Sequence, residues 1–253
     1  MASSARVVTF DFHNTLAHCD AWFELEVRTL PGSVYTWLSE RGSAPPIPQT
    51  PATANRAYRS LREGIVASGD ELDAVTCVEE ILARLGVTVP RSAIGEAVDA
   101  LMRDTLASLA AVPGAATTVR GLRDAGCRLG VVSSAVHHEF LEWSLAALGI
   151  DDAFEIVTTS ASSGFYKSRP EIYRVALAAM GALPDGSVHV GDSLRWDVGG
   201  AQKAGMKGAW LRNGSSGAAA DRYAAHGPLP TPDLVLETLV GATPAILALL
   251  HEG

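Results

Sequence analysis

Four short stretches, far apart in the chain, hold residue types that could act together on one ligand. The first, Val7-Val8-Thr9-Phe10-Asp11-Phe12-His13-Asn14-Thr15-Leu16, runs from a β-branched segment into Asp11. A carboxylate at the end of a buried strand is costly to desolvate unless it is paired or bound to a metal. The second, Leu129-Gly130-Val131-Val132-Ser133-Ser134, ends in hydroxyls ahead of a helical pattern over His137–Leu148. Hydroxyl and backbone N–H donors at such a junction suit an anion. The third, Lys167-Ser168-Arg169-Pro170, sets one of the chain's three lysines just before a Pro-led helix, where an ammonium can act as a point charge on phosphate oxygens. The fourth runs Val188-His189-Val190-Gly191-Asp192-Ser193-Leu194-Arg195-Trp196-Asp197-Val198-Gly199-Gly200-Ala201. Gly191 permits a sharp turn, and Asp192 and Asp197 can both face the strand end, as the oxygen ligands of magnesium would. Each stretch also has a plainer reading. Asp11 can cap a turn, Ser133 or Ser134 can cap a helix, Lys167 can be a solvated surface lysine, and the two aspartates can complement a helix dipole.

The elements that must position these residues are legible as periodicity. Val7–Asp11, Leu129–Ser133, Phe154–Thr158, Val188–Asp192 and Gly208–Leu211 are short apolar runs, each followed by a turn. Strands alternating with helices predict an α/β fold with a doubly wound parallel sheet, whose ligands bind at the carboxyl ends of the strands. Asp11, Ser133 and Asp192 all fall at such ends. Residues 17–112 read differently: Ala21–Leu30, Ala52–Ser68, Glu71–Leu85 and Ser92–Ala111 have helical spacing and no convincing strand lies among them. A Pro-rich break spans 44–51, Pro113-Gly114 marks the return to the α/β pattern, and 213–231 reads as a mobile Gly/Ser/Ala/Pro loop. The expected division is a core of 1–16 and 113–253 interrupted by an all-helical domain over 17–112.

Composition excludes several functions. The 253 residues are 47% apolar and 19% charged, enough for a sizeable core. A net charge of −8 disfavours nucleic acid and anionic membranes as partners. Cys19, Cys77 and Cys127 are odd in number and widely spaced, so neither a disulfide framework nor a zinc site is expected. With no signal-like apolar stretch at the start and no run of 18 apolar residues, the protein is expected in the cytoplasm.

Taken in order and on this topology, the four stretches resemble the motifs of the haloacid dehalogenase-like (HAD) superfamily, in the branch with a helical cap inserted between motifs one and two. Gly191-Asp192-Ser193-Leu194-x-x-Asp197-Val198-x-Gly200-Ala201, with Ala204-Gly205-Met206 after it, is the most specific part. The resemblance implies a Rossmann-like HAD core and a magnesium-dependent phosphohydrolase acting on a small phosphorylated metabolite through an aspartyl-phosphate on Asp11. It further implies that Mg2+ is held by Asp11, the backbone carbonyl of His13, Asp192 and Asp197, and that Ser133, Ser134 and Lys167 bind the phosphoryl group. His13 stands where phosphatases of the family usually carry a second aspartate, and is a candidate acid/base. That departure keeps open a metal-independent 2-haloacid dehalogenase and a non-catalytic HAD-fold binding protein. A phosphonatase would need a cap lysine, and 17–112 has none. Among cap residues, Arg28, Arg56, Arg59 and Arg62 are expected to form a solvated face, with contact to a second anionic group of a ligand as the alternative, and Trp22 and Phe23 to pack the cap core, with pocket lining as the alternative.

Overall fold

A computed structural model of the chain describes residues 6–45, 50–213 and 228–251. The first strand, β1 (Val7–Phe10), is buried along its whole length. It leads through a tight turn to the two-residue β2 (Ala17–His18), and then into a run of helices. These are α1 (Asp20–Glu24), a π-type segment Leu25–Thr29, α2 (Leu30–Glu40), α3 (Thr50–Ser68), α4 (Ala74–Arg84) and α5 (Arg91–Thr105). Strand β3 (Ala110–Ala111) returns antiparallel to β2. The rest alternates: α6 (Ala115–Asp124), β4 (Arg128–Ser133), α7 (His138–Ala147), β5 (Ile156–Thr159), α8 (Ser160–Ser163), α9 (Glu171–Ala179), β6 (Ser187–Gly191), α10 (Gly199–Ala204), β7 (Lys207–Leu211), β8 (Leu234–Leu236) and α11 (Thr243–His251).

Six strands pair in the order β5-β4-β1-β6-β7-β8, and every pairing is parallel. Counted along the chain, this is the 3-2-1-4-5-6 order of a doubly wound sheet. Its switch point lies at the central strand β1. Asp11 follows β1 directly, flanked by the carboxyl ends of β4 and β6. β1 and β6 have apolar buried runs because helices cover both faces of the sheet.

Several expectations are adjusted. Helix α2 was not anticipated; Pro31 occupies its first turn, where its missing N–H costs nothing. The helix expected from Glu71 begins at Ala74, since the Asp73 side chain accepts from the Thr76 N–H at 2.9 Å and caps it. The helix expected to reach Ala111 ends at Thr105, and β2 and β3 form a short ribbon where the chain enters and leaves the helical region. Strand β8 was also not foreseen. Residues 46–49 of the Pro-rich break and 214–227 of the expected loop lie outside the described residues, while Thr50 and Pro51 of the break already belong to α3.

Helix α2 packs against α3, α4 and α5. The stripe Ala54, Tyr58, Arg62 and Ile65 buries one face of α3. The turn between α3 and α4 is bound to the sheet's loops by main-chain bonds: Glu71 N to Gly164 O (2.9 Å), Tyr166 N to Gly69 O (2.9 Å) and Ala74 N to Val136 O (2.8 Å). The helical segment thus sits directly on the loop that carries Lys167.

The junction back to the sheet depends on Gly114, which precedes α6 at φ 86°. A Cβ there would lie 2.4 Å from the Val240 nitrogen and 2.5 Å from the Leu239 carbonyl carbon. Gly114→Ala is expected to lose at least about 1–3 kcal/mol of stability from the left-handed backbone alone. Urea unfolding of the two proteins would measure this, and equal midpoints would contradict the packing described.

Candidate active site

The candidate residues converge at the carboxyl ends of β1, β4 and β6. Ser133, the last residue of β4, donates from Oγ to Asp11 Oδ1 at 3.1 Å. Lys167 Nζ donates to the same oxygen at 2.5 Å and to Asp197 Oδ1 at 2.6 Å. The Ser134 hydroxyl accepts the Lys167 backbone N–H at 3.2 Å and so fixes the loop that aims the ammonium. Neither serine caps α7; His137 does, accepting the Phe140 N–H. Lys167 is only 3% exposed and is not a surface lysine.

Oxygens of Asp11, Asp192 and Asp197 lie within 4.8 Å of one another. Burial would depress the Lys167 ammonium, but Asp11 and Asp197 hold its pKa above the ordinary range. Burial would likewise raise Asp197, yet Lys167 and His189 hold it well below the usual carboxylate range. Asp192 is pushed well above that range by burial first and then by the negative charges of Asp11 and Asp197. One ammonium is therefore shared by two of the three carboxylates and offsets a single negative charge, which leaves the group with a surplus of negative charge. Such a set fits a divalent cation, which prefers carboxylate oxygens and would relieve the repulsion at Asp192.

Close approach decides the glycines of this region. A Cβ on Gly191 would lie 2.2 Å from the Asp197 Cγ, so only glycine lets that carboxylate fold back across the end of β6. A Cβ on Gly200 would lie 3.0 Å from the Lys167 carbonyl oxygen and nearer still to the Tyr173 ring.

Behind Asp197 stands a support that sequence reading did not identify. His189 and Thr9 are register partners on β6 and β1. The Thr9 hydroxyl lies 2.8 Å from His189 Nδ1, and His189 Nε2 lies 3.3 Å from Asp197 Oδ1. Burial lowers the His189 pKa, so the neutral ring accepts from Thr9 and donates to Asp197. The Ser193 N–H holds the other Asp197 oxygen at 2.8 Å. The signal for this relay was register, which one sequence does not display.

The His13 ring stacks on Phe23, with centroids 4.7 Å apart and 4° between the planes. Its Nε2 has no hydrogen-bond partner among the described residues, the nearest carboxylate being Asp20 at 3.8 Å. Burial lowers its pKa against the opposing pull of Asp11 and Asp20. Trp22 stacks on Phe140 at 5.0 Å, so Trp22 and Phe23 both pack and line the site. The expected solvated arginine face holds for Arg56 and Arg59. It fails for Arg62, which is buried and forms a two-pronged ion pair with Glu71. A cavity of about 500 Å³ joins these parts, lined by Asp11, His13, Lys167 and Asp192 from the sheet side and by Trp22, Glu26 and Arg62 from the helices.

Residues 5–205 match the sequence model of the haloacid dehalogenase-like hydrolases. The chain belongs to that family. It is 32% identical over 165 residues to a glyceraldehyde 3-phosphate phosphatase of Pyrococcus abyssi, covering 65% of this chain and 68% of that one. A phosphoserine phosphatase of Thermus thermophilus is 30% identical over 102 residues, 40% of this chain and 41% of the relative. Among solved structures, an HAD phosphatase from Thermococcus onnurineus superposes with a TM-score of 0.59 at 22% identity, covering 96% and 97% of the two chains. A 2-haloacid dehalogenase from Pseudomonas syringae gives 0.63 at 21%, covering 96% and 98%. At those identities the likeness is one of fold.

Glu26 is 3% exposed, and burial pushes its carboxyl up to about 8. Its charged neighbours are Arg62, which lowers it, and Glu71, which raises it. The folded protein then binds one more proton than the unfolded chain between about pH 4.5 and 8, so the Glu26 contribution to stability is present at low pH and lost as pH rises through that window. Glu26→Gln is expected to melt higher than the parent at pH 9, with the difference gone by pH 5. Thermal melts across that range test it, and a difference independent of pH would refute the assignment.

Proposed function

We propose that the protein is a magnesium-dependent phosphatase that transfers the phosphoryl group of a small phosphorylated metabolite to Asp11 and then to water. The convergence of Asp11, Ser133, Lys167, Asp192 and Asp197 on one point is the observation that carries this reading. We assign residues 1–16 and 113–253 to the catalytic core and 17–112 to a cap that excludes water from the reacting groups. Three buried free cysteines and the absence of any described helix long and apolar enough to cross a membrane accord with a cytoplasmic setting.

Asp11, Asp192, Asp197 and the His13 carbonyl would hold Mg2+. When bound, the ion offsets repulsion between the Asp11 carboxylate and the anionic ester and polarises the phosphoryl oxygens. Asp197 serves first as a positioning residue, because its oxygens are already engaged by Lys167, His189 and the Ser193 N–H. Lys167 balances the charge that accumulates on the phosphoryl oxygens, while the Ser133 hydroxyl and the Ser134 N–H orient them. Asp11 attacks phosphorus, the P–O bond to the alcohol breaks as the imidazolium form of His13 gives its proton to the departing oxygen, and the aspartyl-phosphate results with His13 left neutral. His13, a neutral ring with a free nitrogen, takes a proton from the water that opens this acyl-phosphate, regenerating Asp11 and releasing phosphate.

The relatives named for glyceraldehyde 3-phosphate and phosphoserine indicate esters of about three carbons. A metal-free dehalogenase reading has no use for Asp192 beside Asp11, and the full set of charged residues argues against a purely binding role.

Phosphate release from acetyl phosphate and p-nitrophenyl phosphate is expected only with Mg2+ and is expected to vanish in Asp11→Asn. Release that survives that substitution, or halide release from 2-chloropropionate without metal, overturns the reading. His13→Ala is expected to slow turnover by roughly 10²-fold or more, while substrate affinity changes little. Rapid-quench measurement should show the aspartyl-phosphate accumulating in this variant; an unaltered rate removes His13 from the mechanism.

A further inference from the structure

Asp11, Lys167 and Asp197 are aimed by hydrogen bonds to one another, but nothing of that kind aims His13. Its Nε2 has no hydrogen-bond partner among the described residues. Asp20 lies 3.8 Å from that nitrogen, beyond hydrogen-bond reach, on an exposed side chain. The main chain around His13 is fixed by a tight turn, with the Asn14 N–H donating to the Ala17 carbonyl at 2.7 Å and the Leu16 N–H to the Phe12 carbonyl at 2.8 Å. Such a turn leaves the side-chain torsions of His13 free to change rotamer.

Aromatic contact supplies the missing restraint. Phe23 lies flat against the imidazole, with centroids 4.7 Å apart and planes 4° apart, and Trp22 meets the same ring at 5.6 Å and 59°. Two consecutive residues of the turn thus face two consecutive residues of α1: Phe12 packs edge-on to Trp22 at 5.9 Å, and His13 stacks on Phe23. Contacts that do not involve the Phe23 ring hold α1 in place. The buried Trp22 stacks on Phe140 of α7, and the Cys19 thiol, just before α1, donates to the Thr105 carbonyl at 3.4 Å. Phe23 itself is half-buried and lines the cavity beside Asp11 and His13.

We infer that Phe23 is a positioning residue for the reaction: its ring holds the His13 imidazole in the orientation from which it gives a proton to the departing oxygen and takes one from the attacking water. This rests on the acid/base reading of His13. Stacking fixes the plane of the imidazole and leaves its nitrogen-bearing edge available for hydrogen bonds. Without the flat face beside it, the ring samples rotamers that carry its nitrogens away from the reacting oxygens, and proton transfer slows while metal and phosphoryl binding stay as they are.

The test uses p-nitrophenyl phosphate with Mg2+, because p-nitrophenolate departs without a proton whereas opening of the aspartyl-phosphate still needs a base. Phe23→Leu should lower kcat at least about fivefold with KM little changed. Rapid mixing should then show a stoichiometric burst of p-nitrophenolate followed by slow turnover, as phosphoryl transfer to Asp11 outruns hydrolysis. Phe23→Tyr, which keeps a flat ring, should restore most of the rate. In a His13→Ala background Phe23→Leu should cost nothing further, because the ring acts only through the imidazole. Phe23→Met, also lacking a flat face, takes the place of Phe23→Leu if circular dichroism shows that the latter does not fold. A parental rate in these variants, loss of the burst, or the same fractional loss with and without His13 overturns the inference. If His13→Ala alone matches the parent, the inference falls with the acid/base reading, while metal-dependent release abolished by Asp11→Asn still upholds the phosphatase. A parent that releases no phosphate from this ester or from acetyl phosphate defeats both.

Discussion

The buried ammonium of Lys167, shared between Asp11 and Asp197, is the contact on which the arrangement depends. Three carboxylates within 4.8 Å could not stay together in a buried site without it. Removing one partner of such a set leaves the others uncompensated, at a cost of about 3–5 kcal/mol. The ammonium also stops short of full compensation, and Asp192 bears the surplus. A carboxylate group left with that imbalance has the chemistry to hold a divalent cation.

Much of the surrounding structure exists to aim that ammonium and its two acceptors. The Ser134 hydroxyl holds the Lys167 main chain. Thr9 and His189 hold Asp197 from behind, through the His189 Nε2. Gly191 and Gly200 are small because Asp197 in one case, and Tyr173 with the Lys167 loop in the other, occupy the space a Cβ would take. Polar groups linked in this way hold a geometry that none of them would keep alone.

The helical segment contributes by contact as well as by cover. Its α3–α4 turn is joined by main-chain hydrogen bonds to the loop bearing Lys167, and Ala74 N and the Glu26 carboxyl take both polar atoms of Val136. The walls facing Asp11 are thus tied to the loops that position it. Excluding water there strengthens every charge interaction inside. Burial is also what raises the pKa of the Glu26 carboxyl.

Local sequence was enough to identify the sheet strands up to β7 and the four stretches at their ends, because buried parallel strands are short apolar runs and their carboxyl ends are where ligands collect. Asp11, Ser133, Lys167, Asp192 and Asp197 were therefore legible as candidates from type and position. Periodicity also located α3, α4 and α5 within a few residues, while α2 was not read from the sequence. Register decided the rest. The Thr9–His189 pair joins residues 180 apart through strand alignment. Arg62 looked like a surface arginine until α3 turned it inward to Glu71. Glu26 was one glutamate among many until α3 and the Val136 loop closed around it. Charge state, burial and partnership are properties of surroundings that assemble from distant parts of the chain, so they appear only once the chain has folded.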